Sequence, residues 1–172
     1  VTGRSMDWIE DMQTNLWVFP RGIKRDGGLG KASLEWASKY GSVVTTIYEG
    51  AAADGMNERG LVANLLYLAE SKYEPARADD KRPTLSNAAW VQYVLDNYAT
   101  VAEAVEGLRK EEFRLVPIEA PTGEPGTVHL SISDASGDSA IFEYIDGKLR
   151  IHHGKQYQVM TNSPTFDRQL PL

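Results

Sequence analysis

Two segments with the period of an amphipathic helix lie in the middle of this chain, between two groups of short segments that have the composition of β-strands. Ser86 has the residue type of an N-cap, and the apolar residues after it form one stripe of a helix over 87–98. Thr100 and Glu103 match a capping box at the start of a second helix, which ends near Lys110. Two successive helices of this kind form one layer, and they need another layer against which to bury their apolar stripes.

The segments on both sides of the helices alternate apolar and polar residues, or are rich in β-branched and aromatic residues, as strands are. The predicted strands are 1–7, 15–19, 34–40, 42–48 and 61–68 before the helices, and 113–118, 127–133, 139–145, 148–152 and 157–161 after them. The glycine-rich stretch 21–33 is predicted to be a surface loop, and 54–60 a connection between strands. This order predicts an α+β fold with a helical layer on an antiparallel sheet, and two sheets packed face to face are compatible with it.

The composition limits the functions that this chain can have. It has 172 residues, of which 42% are hydrophobic, so it is long enough for a single domain with its own core. Its 18 Lys and Arg against 24 Asp and Glu give a net charge of −6, which argues against nucleic acid as a partner. No apolar run reaches the roughly 18 residues of a membrane span, so no membrane partner is expected. The absence of cysteine removes disulfides, cysteine-ligated zinc and a cysteine nucleophile from these 172 residues.

Other candidate sites are rejected on their chemistry. The stretch 25–32 (RDGGLGKA) has Arg25 at the first glycine of a phosphate-binding loop and lacks the hydroxyl that binds magnesium. His152 and His153 are adjacent in a predicted strand, so their side chains point to opposite faces and make a poor metal site. His129 is interpreted as an ordinary strand residue, and no Gly-x-Ser-x-Gly sequence supports an α/β-hydrolase triad. We therefore expect no metal and no cofactor.

Three segments carry a more specific signal when they are taken together. They are 3–8 (GRSMDW), 55–68 (GMNERGLVANLLYL) and 160–167 (MTNSPTFD). In this order and spacing they resemble the choloylglycine hydrolase family, which includes penicillin V acylases and bile salt hydrolases. The resemblance extends from Arg4 to Asp167, nearly the whole chain. It implies the αββα sandwich fold of the N-terminal-nucleophile hydrolases.

The resemblance also implies a reaction, the hydrolysis of an amide by an N-terminal cysteine whose thiol is the nucleophile and whose own α-amino group is the base. Arg4 matches the family's arginine beside the nucleophile, where a fixed positive charge favours the thiolate. Asp7 matches the aspartate that hydrogen-bonds the α-amino group, and Asn162 the asparagine that donates to the oxyanion. Without the resemblance, Arg4 and Asp7 are a structural salt bridge and Asn162 is a turn residue. The turn 57–60 is interpreted as a structural connection between two core strands.

The same segments indicate which residues line the acyl pocket. Tyr67 lies where bile salt hydrolases tend to have asparagine and penicillin V acylases tyrosine, which favours the acylases. Met6 and Trp8 flank Asp7 and are predicted to bind an apolar acyl group, although each of these pocket residues taken alone is more typical of a core. Arg4 and Asp7 would face opposite sides of an ideal strand, so a bulge or bend between them is predicted.

The chain also departs from the family pattern. The nucleophilic cysteine is expected upstream of Arg4 and a further arginine of the family beyond Leu172, so the chain is expected to be a fragment with an incomplete αββα fold. The predicted function is that of a linear-amide C–N hydrolase resembling penicillin V acylase, with a small acyl amide as substrate. Bile salt hydrolysis and a non-catalytic domain that binds acyl amides stay open as alternatives. The resemblance implies a homotetramer and leaves the bacterial periplasm and the cytoplasm both open as compartments.

Overall fold

The computed structural model describes residues 2–119, 123 and 126–170, and its largest element is a seven-stranded antiparallel sheet. The strands of this sheet are β1 (Asn15–Phe19), β4 (Ser42–Ile47), β5 (Ala51–Asn57), β6 (Val62–Tyr67), β9 (Val128–Ser133), β10 (Ser139–Ile145) and β11 (Lys148–His153). They follow one another across the sheet in the order β1–β4–β5–β6–β9–β10–β11. Two small sheets are separate from it, an antiparallel pair and a parallel pair. These are β2 (Lys24–Asp26) with β3 (Glu35–Ala37), and β7 (Thr84–Ser86) with β8 (Arg114–Val116).

The helices begin where the sequence predicts them. The helical elements are a 3₁₀ turn (Asn87–Ala89), α1 (Trp90–Asn97), α2 (Val101–Leu108) and α3 (Phe166–Gln169). The hydroxyl of Ser86 accepts a hydrogen bond from the N–H of Ala88 at 3.2 Å. The hydroxyl of Thr100 accepts one from the N–H of Glu103, also at 3.2 Å. Both predicted N-caps are therefore confirmed, whereas α3 is not predicted from the sequence.

Helices α1 and α2 cover one face of the sheet, and the core lies between the two layers. Helix α1 packs on β4, β5 and β6, and α2 contacts β10. The ring of Trp90 in α1 meets those of Phe142 and Tyr144 at centroid distances of 6.5 and 6.1 Å. Gly55 allows α1 to approach β5 closely, because a Cβ at this position would lie 2.7 Å from Leu95 Cδ1. This packing confirms the predicted α+β fold with helices on an antiparallel sheet.

Two predicted strands are wrong, and two strands, β2 and β5, form where loops are predicted. Residues 2–7 and 157–161 have no strand pairing, and Val1 lies outside the described residues. Segment 2–8 is held by hydrogen bonds of its side chains and not by backbone pairing with a strand. Strand β5 runs into the predicted loop 54–60, although its alanines and glycine have little strand preference. Small residues suit this strand because α1 lies directly on it.

Within the described residues there are one sheet of seven strands and two sheets of two strands. The face opposite the helices carries exposed apolar side chains on neighbouring strands, which are Leu16, Val18, Val43 and Met56. The predicted surface loop 21–33 contains the short strand β2. In the part of the chain that the structure describes, no helix has the length and apolar character needed to cross a membrane.

Asn57 organises the turn between β5 and β6, which is structural as predicted. Its side chain is buried, and its Nδ2 donates to the carbonyl oxygens of Leu95 and Tyr98, both at 2.8 Å. Its Oδ1 accepts from the N–H groups of Arg59 and Leu61 at 3.0 and 3.1 Å. One side chain therefore closes the turn and ties the end of α1 to the sheet.

Replacing Asn57 tests this interpretation. We expect Asn57→Ala to lower the free energy of unfolding by about 2–4 kcal/mol, because buried N–H and C=O groups lose their partners. Urea denaturation followed by circular dichroism measures the change. The control is Asn15→Ala at an exposed asparagine, which should stay within about 0.5 kcal/mol of the wild type. Equal and small effects of the two substitutions would contradict the role of Asn57.

Candidate active site

A cavity of about 400 Å³ lies at the end of β6, and every residue predicted for the site lines it. The predicted residues are Arg4, Met6, Asp7, Trp8, Tyr67 and Asn162. Segment 4–8 and the connection between β4 and β5 form two of its walls. Most of the remaining lining is apolar, from residues that include Met12, Ile47, Leu65, Leu66, Ile118 and Val128. An apolar cavity with a few polar groups has the composition of a small-molecule site.

Arg4 is fixed beside the cavity by the sheet. Its Nη1 lies 2.6 Å from Asp54 Oδ2, and its Nη2 donates to Leu65 O at 2.9 Å. Asn64 Nδ2 donates to the other oxygen of Asp54 at 2.8 Å, so both oxygens of the carboxylate are used. The Arg4 side chain is only 16% exposed, and its position is therefore well determined. The ion-pair partner of Arg4 is Asp54 and not Asp7, so the interpretation of Arg4 and Asp7 as a structural salt bridge is wrong.

The segment that carries Arg4 and Asp7 is irregular, in agreement with the predicted bend. Both residues line the same cavity, which a straight strand would not allow. Asp7 is exposed, so its carboxylate is accessible to a group that enters the cavity. Met6 and Tyr67 are 37% and 39% exposed, which excludes the alternative that they are core residues.

Trp8 and Tyr67 form an aromatic wall of the cavity. Their ring centroids are 6.4 Å apart, and the rings are tilted by 58°. Trp8 Nε1 donates to the hydroxyl of Tyr48 at 2.8 Å, and this hydroxyl donates to Glu10 Oε1 at 2.7 Å. The hydrogen bond to Glu10 raises the pKa of Tyr48, so the phenol stays protonated. The chain of bonds fixes the orientation of the Trp8 ring.

Asn162 reaches the cavity from segment 154–165, which has no regular secondary structure. The next residue, Ser163, is tied to the chain that follows β6. Its hydroxyl donates to Glu70 Oε2 at 2.8 Å and accepts from the N–H of Ala69 at 3.2 Å. The Asn162 side chain is exposed. An uncharged amide N–H in this position is suited to donate to a negative charge that develops on a bound substrate.

A buried carboxylate anchors the helix that follows this segment. Glu143 Oε1 accepts from the N–H of Phe166 at 2.9 Å and lies 3.0 Å from His129 Nδ1. Its Oε2 lies 3.6 Å from His152 Nε2. Burial alone would raise the pKa of Glu143, but the polar groups of His129, His152 and Phe166 outweigh it and hold the pKa at about 2. Glu143 is therefore ionised at neutral pH.

The two adjacent histidines point to different partners, as predicted for neighbours in a strand. His152 lies beside Glu143, and His153 Nε2 lies 2.8 Å from Asp138 Oδ2. His129 is fully buried against Glu143, so it is a core residue. Over residues 2–119, 123 and 126–170, no group of three or more potential ligands is arranged to hold a metal ion.

Sequence reasoning misses Glu143, Asp54 and Tyr48, which hold residues of the site in place. Glu143 has a visible signal, because it is the one charged residue in an otherwise apolar strand (SAIFEYI), and a buried charge requires a partner. No feature of the sequence around Asp54 or Tyr48 indicates that these residues hold the site. Their partners, Arg4 and Trp8, lie 50 and 40 residues away in the sequence.

The low pKa of Glu143 predicts that the protein loses folding stability in acid. Its pKa of about 2 in the folded state is below the value of about 4.3 for an unfolded glutamate, so it stabilises the fold above pH 4.3. This contribution is lost as the pH falls from about 4.3 to 2. Urea midpoints measured across this range should therefore fall less for Glu143→Gln than for the wild type, with the variant less stable at pH 7.

The matched control is Glu106→Gln, at an exposed glutamate of α2, which should keep the wild-type dependence of stability on pH. If the profile of Glu143→Gln ran parallel to that of the wild type, the role of Glu143 as a buried ionised anchor would be wrong.

Comparisons with known sequences identify the family of this chain. The family described as linear amide C–N hydrolases, choloylglycine hydrolase family, matches residues 1–171. A penicillin V acylase of Pectobacterium atrosepticum is 58% identical over 178 residues, which cover 100% of this chain and 47% of the relative. A bile salt hydrolase/transferase of Clostridium perfringens is 33% identical over 172 residues, which cover 96% of this chain and 50% of the relative. The chain therefore spans about half the length of the curated relatives that it matches.

Solved structures show the same relationship. Penicillin V acylase from Agrobacterium tumefaciens superposes with a TM-score of 0.88 at 61% identity, over 98% of this chain and 50% of that one. A variant of conjugated bile acid hydrolase from Clostridium perfringens gives a TM-score of 0.77 at 28% identity, over 94% of this chain and 49% of that one. The resemblance and the N-terminal-nucleophile hydrolase fold predicted from the sequence are confirmed. The chain belongs to the choloylglycine hydrolase family of linear-amide C–N hydrolases.

Proposed function

We propose that this chain provides the acyl-binding cavity and the oxyanion donor of an enzyme that hydrolyses penicillin V or a closely related acyl amide. The observation that carries the proposal is that the six predicted site residues line one largely apolar cavity of about 400 Å³. The relative with 58% identity, a penicillin V acylase, supports the acylase over the bile salt hydrolase.

The proposed reaction is acyl transfer through a covalent intermediate. The thiol of an N-terminal cysteine attacks the amide carbonyl, and its proton passes to the α-amino group of the same cysteine. The C–N bond then breaks as this proton moves to the leaving amine. Water hydrolyses the resulting thioester to the free acid and restores the thiol. Residues 1–172 contain no cysteine, so in this proposal the nucleophile belongs to another part of a longer polypeptide.

Three residues of this chain act on the reacting groups in the proposal. Arg4 lines the cavity, whereas its ion-pair partner Asp54 does not. In the proposal, the thiol of the nucleophile therefore lies nearer to the guanidinium than to the carboxylate, and this positive charge favours the thiolate. Asp7 accepts a hydrogen bond from the α-amino group and orients it as a base. Asn162 donates its side-chain N–H to the oxyanion of the tetrahedral intermediate.

The remaining residues bind the acyl group. The rings of Trp8 and Tyr67 offer flat apolar surface to an aryloxyacetyl group such as that of penicillin V. Met6 adds a flexible apolar side chain at the cavity surface. The partner is therefore a small acyl amide.

The exposed apolar face of the sheet supports the proposal that the functional domain is longer than this chain. Leu16 and Val18 are 71% and 75% exposed, and they lie beside Val43 and Met56 on neighbouring strands. Contiguous apolar surface of this kind is typical of an interface. In the proposal, the rest of the polypeptide covers it. We call that full polypeptide the parent enzyme.

The role of Asn162 is tested by Asn162→Ala in the parent enzyme. We expect kcat for penicillin V to fall about a hundredfold with little change in KM, because the amide binds the oxyanion and not the ground-state carbonyl. Steady-state kinetics with the phenoxyacetate product as readout measure both constants. Asn15→Ala, which alters an asparagine outside the cavity, should leave both unchanged. Near-normal turnover of Asn162→Ala would remove Asn162 from the mechanism.

The preferred substrate is tested by relative rates. We expect the parent enzyme to hydrolyse penicillin V with a higher kcat/KM than a glycine-conjugated bile salt, because the rings of Tyr67 and Trp8 offer aromatic surface to an aryloxyacetyl group. The reverse order would favour the bile salt hydrolase. Saturable binding of both amides without turnover would instead favour a non-catalytic acyl-amide-binding domain.

The origin of the nucleophile is tested by intact mass and N-terminal sequencing of the protein from its natural source. We expect a mass near twice 19.1 kDa and an N-terminal cysteine. A mass of 19.1 kDa beginning at Val1 would contradict the proposed thiol mechanism. The native mass of the same sample tests the homotetramer that the family resemblance implies.

A further inference from the structure

Asn162 lies in a segment that is not held by the backbone hydrogen bonds of a sheet or a helix. Another interaction must therefore fix its backbone. Segment 154–165 connects β11 to α3 without regular secondary structure. An oxyanion donor is effective only when its N–H is already aimed at the place where the charge develops. The bond between Ser163 and Glu70 holds the next residue, but through its side chain and at an exposed surface.

Gln169, the last residue of α3, holds the backbone on both sides of Asn162. Its two Nε2–H groups are shared among the carbonyl oxygens of Thr161, Asn162 and Pro164, which lie 3.2, 3.3 and 2.6 Å from Nε2. Its Oε1 accepts from the N–H of Thr161 at 3.1 Å. The partners determine the orientation of the amide, because three of them are carbonyls that only accept and the fourth is an N–H that only donates. The Gln169 side chain is therefore hydrogen-bonded to the backbone on both sides of the turn that carries Asn162.

Gln169 is itself held in place, because α3 is docked onto the core. Phe166, at the start of this helix, is 2% exposed, and its N–H donates to Glu143 Oε1 at 2.9 Å. Its ring lies 5.1 Å from that of His152 and 5.3 Å from that of Tyr157, between centroids. The contacts run without interruption from the buried strand β10, through α3 and Gln169, to the backbone of Asn162.

We infer that Gln169 is a positioning residue, which holds the backbone around Asn162 so that the Asn162 side-chain amide is presented to the oxyanion in the cavity. The inference rests on the proposed function of Asn162. Gln169 does not line the cavity, so it acts through Asn162 and not on the substrate. When the bonds from Gln169 are lost, the turn samples several conformations, and only a fraction of them aim the amide correctly.

The substitution Gln169→Met in the parent enzyme tests the inference, because methionine has nearly the same length and no N–H. We expect kcat for penicillin V to fall about tenfold with KM within about twofold of the wild type, since a small displacement of a catalytic group affects the transition state more than substrate binding. The matched control is Gln158→Met in segment 154–165, which also carries Asn162. The Gln158 amide donates to Gly137 and Lys155 and not to the Asn162 turn, so kcat should stay near the wild-type value.

A double-mutant cycle with Asn162→Ala separates positioning from a general structural effect. If Gln169 acts through Asn162, adding Gln169→Met to Asn162→Ala should reduce kcat by less than about twofold further. A substitution that disturbs the whole site would cost the same tenfold in both backgrounds. That additive result overturns the inference, as does a wild-type kcat for Gln169→Met alone.

The same measurements distinguish this inference from the proposed function. Wild-type turnover by Asn162→Ala overturns the proposed role of Asn162 and the inference with it. Lost turnover by Asn162→Ala together with wild-type kcat for Gln169→Met overturns the inference alone. All values of kcat are normalised to the folded fraction measured by thermal denaturation. Gln169→Asn, which keeps the amide but is one methylene shorter, replaces Gln169→Met if the latter does not fold, with the same outcomes expected.

Discussion

The site depends on carboxylates of the sheet that hold two segments without secondary structure. Segments 2–8 and 154–165 carry all but one of the residues predicted for the cavity. Asp54 on β5 binds Arg4 in the first segment, and Glu143 on β10 accepts the first N–H of the helix that follows the second. A carboxylate away from water is costly unless it is paired, so each of these groups strongly favours the arrangement in which its partner is present. The irregular segments therefore adopt one conformation although no ladder defines it.

The residues proposed to contact the substrate and the residues that hold them in place differ in exposure. Met6 and Tyr67 are more than one third exposed, as they must be to contact a ligand, whereas the Glu143 side chain is fully buried. Replacing an exposed cavity residue should therefore change kinetics more than stability, and replacing Glu143 should change both. Gln169 is intermediate, because it is bonded to backbone groups of the site but is not in the cavity. The exposed cavity residues are preorganised by their contacts with the residues that hold them in place.

The parts of the structure that can be predicted from the sequence are those with local causes. The helix caps at Ser86 and Thr100 each involve groups within three residues, and both are confirmed. Strand β5 cannot be recognised locally, because its small residues are explained by the helix that packs on Gly55. The family resemblance located the cavity residues by matching motifs, but it could not indicate Asp54 or Gln169. Asp54 matters because it contacts a segment that is distant in the sequence, and Gln169 because it is bonded to an irregular turn. Contacts of these two kinds leave no periodic pattern in the sequence.

The pairing of Arg4 with Asp54 has a consequence for how a substrate reaches the proposed site. At 2.6 Å the two charges nearly cancel at long range, and the pair acts as a dipole whose positive end lines the cavity. Such a dipole stabilises a thiolate within a few ångströms but does not attract anions from solution. The net charge of −6 on these 172 residues adds no attraction for penicillins and conjugated bile salts, which carry carboxylates. In the proposed function, the attraction that this chain offers to the substrate is burial of the apolar acyl group against the aromatic wall of Trp8 and Tyr67.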